Sequence, residues 1–172
     1  MIHHTVYDED EIADFLEINR LMDNTESQTM KKLLSVQNKI SVLANIDPNE
    51  LKAIIYDLKF VKYAKKDAVI EQNDISKEIF FILSGECHVF VKKQKVGLLK
   101  MGETFGENAA IFNTKRNATV ICASESATLL SFCIDHENME FCAPALAMMY
   151  KNLAHQINSK LEGMNTTLLK LI

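Results

Sequence analysis

The spacing of hydrophobic positions changes period twice along the chain and divides it into three stretches. From about residue 9 to residue 58 it has a helical period. Ile12, Phe15, Leu16 and Ile18 mark one amphipathic face, preceded by acidic residues 8–11 that suit a helix N-terminus. Asp23-Asn24-Thr25 interrupts it, and Met30, Leu33, Leu34, Ile40 and Leu43 predict a second helix. A third, short one is predicted through Leu51, Ile54, Ile55 and Leu58, with Asp47 as N-cap, Pro48 at the first helical position and Glu50 at the capping-box position.

From about residue 59 to residue 134 short β-like runs replace the helical stripe: Phe60–Tyr63, Ala68–Gln72, Ile79–Leu83, Cys87–Val91, Val96–Leu99, Ala118–Ala123 and Ala127–Cys133. Turn residues such as Asn73-Asp74, Ser84-Gly85 and Met101-Gly102 separate them, and seven or eight short strands at this spacing suggest a sandwich or jelly roll. Beyond about residue 136, Leu146, Met149, Leu153, Ile157, Leu161, Met164 and Leu168 recur every three or four residues, a stripe of more than six helical turns. The expected fold is mainly β with flanking α: a β jelly roll (double-stranded β-helix) with N-terminal helices and a long C-terminal helix. The expected division is an N-terminal helical arm at 1–45, the jelly roll at 46–135 and a C-terminal lid or dimerisation helix at 136–172.

Composition narrows the function classes. The 172 residues are 48% hydrophobic and 24% charged with a formal charge of −4, ordinary for a globular protein and without the basic footprint of a nucleic-acid binder. No apolar run is long enough for a transmembrane helix, and the acidic start is unlike a signal peptide. Cys87, Cys122, Cys133 and Cys142 form no CxxC pair, and the five histidines fall at no ligand spacing. Free thiols in a cytoplasmic protein without a metal site are therefore expected. His88 is expected on a strand, exposed or satisfied in the core, the lysines at 92, 93 and 95 at a solvated hairpin tip, Cys87 and Cys122 as small core residues, and Met148 and Met149 in the core or a dimer seam, with a base-contacting lid as the alternative.

Chemistry concentrates between Phe105 and Val120. A strand ends at Gly106, Glu107 follows, then Asn108, Ala109, Ala110, Ile111 and Phe112 make a short turn of mostly small or apolar residues. Arg116 stands nine residues after the glutamate, just before a new strand. Small residues let a backbone approach a ligand, a helix start presents unpaired N–H groups, and an arginine adds a charge-assisted contact to a phosphate oxygen. A carboxylate would repel that phosphate, so Glu107 needs another task, and accepting a hydrogen bond from a ribose hydroxyl is the obvious one.

This segment resembles the phosphate-binding cassette of the cyclic nucleotide-binding domain family, which includes bacterial catabolite activators, regulatory subunits of cyclic-AMP-dependent kinase and cyclic-nucleotide-gated channels. The strand ending Gln72-Asn73-Asp74, the hairpin Ile79 to Glu86 with Val89, and the lead from Leu99 to Glu107 resemble the family as well. The resemblance implies that Gly106 offers its backbone to ribose and phosphate, and that Glu107 takes the ribose 2′-hydroxyl. Asn108 and Ala109 present N–H groups to the phosphate, and Arg116 pairs with an exocyclic oxygen. Asn117 lies beside phosphate and base, and Ala118 keeps the wall close. It also implies cAMP or cGMP as ligand, no cofactor and no catalysis, since the cassette offers only positioning groups.

Three departures bear on this. Asn108 replaces an apolar residue and is expected to loosen packing of the cassette helix. Asn73 replaces a glycine in a turn that asparagine tolerates. Asn117, with both donor and acceptor, leaves cAMP against cGMP open. Replacing Arg116 or Glu107 by alanine is expected to weaken binding and leave the fold intact. The terminal helix is expected to pair two copies, the alternative being that it folds back on its own domain, and the resemblance implies that Lys160 and Leu161 fall near the base. The N-terminal helices are a possible dock for a protein partner, and no helix-turn-helix for direct DNA binding is visible. The alternatives are a surface Glu107–Arg116 ion pair, worth roughly 0–1 kcal/mol, or a domain that keeps the fold as an interaction module without a ligand.

Overall fold

The computed structural model describes residues 26–134 and 143–169. The expected first helix around Ile12, together with His3, His4, His136 and Cys142, lies outside the described residues. Helix α1 spans Glu26–Val36, α2 Pro48–Ile54, α3 Glu107–Phe112 and α4 Ala143–Leu169. The strands are β1 Ile55–Ala64, β2 Ala68–Ile70, β3 Ile79–Ser84, β4 Cys87–Val91, β5 Gln94–Leu99, β6 Thr104–Phe105, β7 Thr119–Cys122 and β8 Ser126–Ile134.

The strands pair as a folded ribbon. β1 pairs β8, β2 pairs β7, β3 pairs β6 and β4 pairs β5, all antiparallel. Rolling that ribbon adds β3 beside β8 and β4 beside β7, which closes two four-stranded sheets of order β1-β8-β3-β6 and β2-β7-β4-β5. This is the jelly roll expected from the strand spacing, with helices before and after it in the chain.

Two cores follow from alternation along the central strands. Phe80 and Ile82 on β3 point between the sheets to join Ile70, Phe105, Val120 and Leu129. Phe81 and Leu83 point to the other face and meet Leu33, Leu43, Leu51, Leu146, Met149 and Leu153 from the helices. β3 and β8 are therefore buried on both faces, which explains why they read as continuous apolar runs. Each such side chain contributes about 1.5–3 kcal/mol.

The helical segments differ in detail from the periodicity. The second predicted helix stops at Val36, and Ile40 and Leu43 sit on or beside two short 3-10 turns, Gln37–Lys39 and Ser41–Leu43. The buried Gln37 side-chain amide donates to the carbonyls of Leu43 (3.0 Å) and Ile46 (2.6 Å), so it satisfies backbone groups that a continuous helix would have paired within itself. Asp47 caps α2 as expected, its Oδ1 accepting from the N–H groups of Asn49 (2.9 Å) and Glu50 (3.2 Å). That helix ends at Ile54 and does not reach Leu58, because Ile55 enters the ladder opposite Ile134. Pairing across the sheet overrides the helical spacing there.

Helix α4 buries Leu146, Met149 and Leu153, whereas Leu161 is exposed. Asn152 Nδ2 donates to the carbonyls of Val42 (3.2 Å) and Ala44 (2.9 Å), and Gln156 Nε2 bonds Ser41 Oγ. The long helix is thus tied to the turns that precede α2.

Candidate ligand-binding cassette

The segment from Gly106 to Ala118 leaves β6, forms α3 and returns into β7. Gly106 starts it in the left-handed region, at φ 83°, where only glycine is comfortable. A side chain there would also collide: an added Cβ would lie 2.7 Å from Arg116 Nη1 and 2.9 Å from the carbonyl oxygen of Glu78. Asn113 ends α3, again left-handed at φ 52°. Asn73 sits at φ 74°, so the turn expected to survive the loss of its glycine does so.

Arg116 is buried to 3% exposure and held from three sides. Its Nη1 donates to the Gly106 carbonyl (2.8 Å), its Nε to Ser76 Oγ (3.1 Å), and its Nη2 to the carbonyl (2.8 Å) and the carboxylate (3.3 Å) of Glu78. Backbone bonds fix its base as well. The Asn73 N–H donates to the Arg116 carbonyl at 2.9 Å, and the Arg116 N–H to the Asp74 carbonyl at 2.8 Å. The guanidinium carbon lies 5.9 Å from the centre of the Phe80 ring, which stacks on Phe105 at 5.3 Å. Burial pulls the Arg116 pKa below its usual value, while the charges of Glu78, Asp74 and Glu107 oppose that shift. Asp74 titrates below the usual carboxylate range, through hydrogen bonds from Ser76 and the Ile75 N–H and the charge of Arg116.

Glu107, at the first position of α3, is 8% exposed. Lys160 of α4 reaches it: the ammonium donates to the carbonyl of Thr104 at 2.5 Å and lies 3.8 Å from Glu107 Oε1. Gly106 thus has Glu107 as its chain neighbour and Arg116 on its carbonyl, and among the described residues the two charges have other ion-pair partners, Lys160 and Glu78.

The remaining expected site residues divide by exposure. Ala109 is buried and Ala118 half-buried, while Asn108 and Asn117 are exposed. The exposure of Asn108 removes the reason to expect loose packing: Ala109 and Ala110 fill the buried face, and the asparagine faces away from it. The expectation that alanine at Arg116 leaves the fold intact also needs correction, because that change would strand buried carbonyl acceptors and leave a cavity. Ser76 and Glu78 were not found from the sequence. They lie 40 and 38 residues from the arginine they hold, and no local spacing points to them.

Residues 60–140 match the family model of the cyclic nucleotide-binding domain. The chain is 33% identical over 88 residues to a cGMP-dependent protein kinase of Toxoplasma gondii, covering 51% of this chain and 9% of that protein. Its fold is similar to a cyclic nucleotide-binding domain from Methylobacillus flagellatus, with a TM-score of 0.65, 15% identity and coverage of 84% and 85% of the two chains. It is also similar to the regulatory subunit of a cAMP-independent protein kinase A from Trypanosoma cruzi bound to guanosine. There the TM-score is 0.53, the identity 17% and the coverage 69% and 41%.

Proposed function

We propose that this chain, whose residues 60–140 are a cyclic nucleotide-binding domain, is a regulatory module that binds cAMP or cGMP. The observation that carries the reading is the bond of buried Arg116 to the carbonyl of Gly106, the glycine next to buried Glu107, where an added side chain would collide. The guanidinium supplies the charge for an anionic phosphate and the carboxylate an acceptor for a sugar hydroxyl.

Arg116 would meet a phosphate without leaving its place. Its Nη1 carries a second hydrogen besides the one given to Gly106, and the 3.3 Å bond to the Glu78 carboxylate is the longest of its four. A phosphate oxygen would take either position, while the bonds to Ser76 and to the two carbonyls keep the guanidinium aimed. Binding would then favour one arrangement of α3 and α4 over another, which is how a ligand shifts a population. This is the chemistry of a binding module: the groups of the cassette position a phosphodiester. The reading includes a cytoplasmic location and pairing of two copies through α4, supported by the exposure of Leu161. Among the described residues no helix is long and apolar enough to cross a membrane.

Calorimetry with cAMP, cGMP and guanosine tests the reading. Binding of one cyclic nucleotide is expected, weakened at least tenfold in Glu107→Gln and in Arg116→Lys, a change of about 1.4 kcal/mol or more. Lysine keeps the positive charge but loses the planar fork. A preference for guanosine over both cyclic nucleotides would favour the nucleoside seen in the Trypanosoma cruzi neighbour. Binding of neither cyclic nucleotide would overturn the proposal.

A further inference from the structure

In the sheet of order β2-β7-β4-β5, β5 is hydrogen-bonded to β4 alone, so its other edge has no ladder partner among the described residues. Residues 92–100 hold four lysines, Lys92, Lys93, Lys95 and Lys100, and no acidic residue, in a chain of net charge −4. All four are exposed. The Lys95 ammonium donates to His88 Nε2 at 2.8 Å, and among the described residues no carboxylate pairs with any of the four.

The turn that presents the first two is strained. Val91 pairs with Gln94, which leaves a two-residue loop with Lys92 at φ 48° and Lys93 at φ 67°. Two positive φ angles in succession suit Asn-Gly, whereas the Cβ of a lysine makes them costly. Gln72 Oε1 holds the turn by accepting from the Lys92 N–H at 3.0 Å. Two cations thus stand where other residues would fit better, and such strain clusters at functional contacts.

The same edge is apolar along its middle. Val96 is 59% exposed and Leu98 39%. Cys87 and Val89 face the core, so alternation turns His88 and Phe90 outward, and their rings meet edge to face at 6.2 Å. Lys95 lies opposite Phe90 and Leu98 opposite His88, on that outer face. Lysines inside a strand guard an edge against aggregation, but Lys92, Lys93 and Lys100 lie outside β5 and leave Val96 and Leu98 uncovered. Lipid headgroups would meet the lysines without using the main-chain row, and the β5 edge of a second copy would set lysines against lysines.

We propose that the outer edge of β5 is a docking site for an extended acidic segment of a partner protein, which adds a strand to the sheet and sets its carboxylates against Lys92, Lys93, Lys95 and Lys100. Main-chain bonds give such a site its affinity, and the charges select the partner. The site shares no residue with the cassette and stands without that reading.

Fluorescence anisotropy on the full chain tests it, with a labelled peptide of alternating valine and glutamate as the probe. The comparisons are the same peptide with lysine for glutamate, the same peptide N-methylated throughout, and vesicles of phosphatidylcholine with phosphatidylserine. The acidic peptide is expected to bind, less tightly as salt rises, and to slow hydrogen exchange in residues 94–99. The lysine and N-methylated peptides are expected to bind about tenfold more weakly or worse. Lys92→Gln combined with Lys93→Gln is expected to weaken the acidic peptide about fivefold, with the melting curve and nucleotide binding unchanged. Equal binding of the N-methylated peptide would mean attraction of charge without an added strand. Vesicle binding that the two substitutions abolish would assign the lysines to a lipid surface. Peptide binding that appears only after Asp8→Asn, Glu9→Gln, Asp10→Asn and Glu11→Gln would assign the edge to the chain's own acidic run. Each of these results, or no binding of the acidic peptide at all, overturns the proposal.

Discussion

Arg116 Nη1 donates a hydrogen bond of 2.8 Å to the carbonyl oxygen of Gly106, ten residues earlier in the chain. The bond joins the two ends of the cassette, and its short length leaves no room for a side chain at Gly106. The arginine is therefore a buried cation of the cassette and a structural link from α3 to the approach of β3.

Gly106→Ala follows from that relationship. The left-handed backbone costs a non-glycine residue about 1–2 kcal/mol, and the added Cβ would press on Arg116 and on the Glu78 carbonyl. A melting temperature lower by roughly 5–10 °C is expected, together with weaker nucleotide binding. An unchanged melting curve would show that the cassette relaxes around the methyl group.

Cys87 and Cys122 face each other across β4 and β7, and both are buried. Burial pushes the Cys87 thiol up to about 12, with the neighbouring Cys122 adding to it. The thiol is then neutral in the folded protein at pH 7 and a poor nucleophile. Native protein is expected to resist alkylation at Cys87 and to label fully once unfolded. The sign for stability follows from the raised pKa: the contribution of the neutral thiol is complete below pH 9 and is lost as pH rises from 9 toward 12. Denaturation midpoints should fall across that window, and less so in Cys87→Ala. Rapid native labelling would contradict the burial.

Asn152→Ala tests the coupling of the long helix to the preceding turns. The substitution removes the donor to the carbonyls of Val42 and Ala44. A loss of about 1–2 kcal/mol is expected. Hydrogen exchange should rise together in residues 41–46 and in α4, because the two lose one shared fastening. A rise confined to α4 would show that the turns hold without Asn152.

The sequence by itself determined the architecture and the ends of the cassette. Short β-like runs separated by turn residues between 59 and 134 specify strands, and Asp47 with Pro48 specifies a helix start through local hydrogen bonds. Gly106, Glu107 and Arg116 were legible because an unusual backbone, an acid and a base occur together within eleven residues. What only the tertiary structure decided depends on pairing across the chain. The stop of α1 at Val36 reflects the reach of Gln37 to Leu43 and Ile46, and the end of α2 at Ile54 reflects the pairing of Ile55 with Ile134. The partners of the two charges, Ser76 and Glu78 for Arg116 and Lys160 for Glu107, lie 38 to 53 residues away in sequence. No local period encodes them; they meet only because the rolled ribbon brings the loop before β3, the cassette and α4 to one end of the sheets.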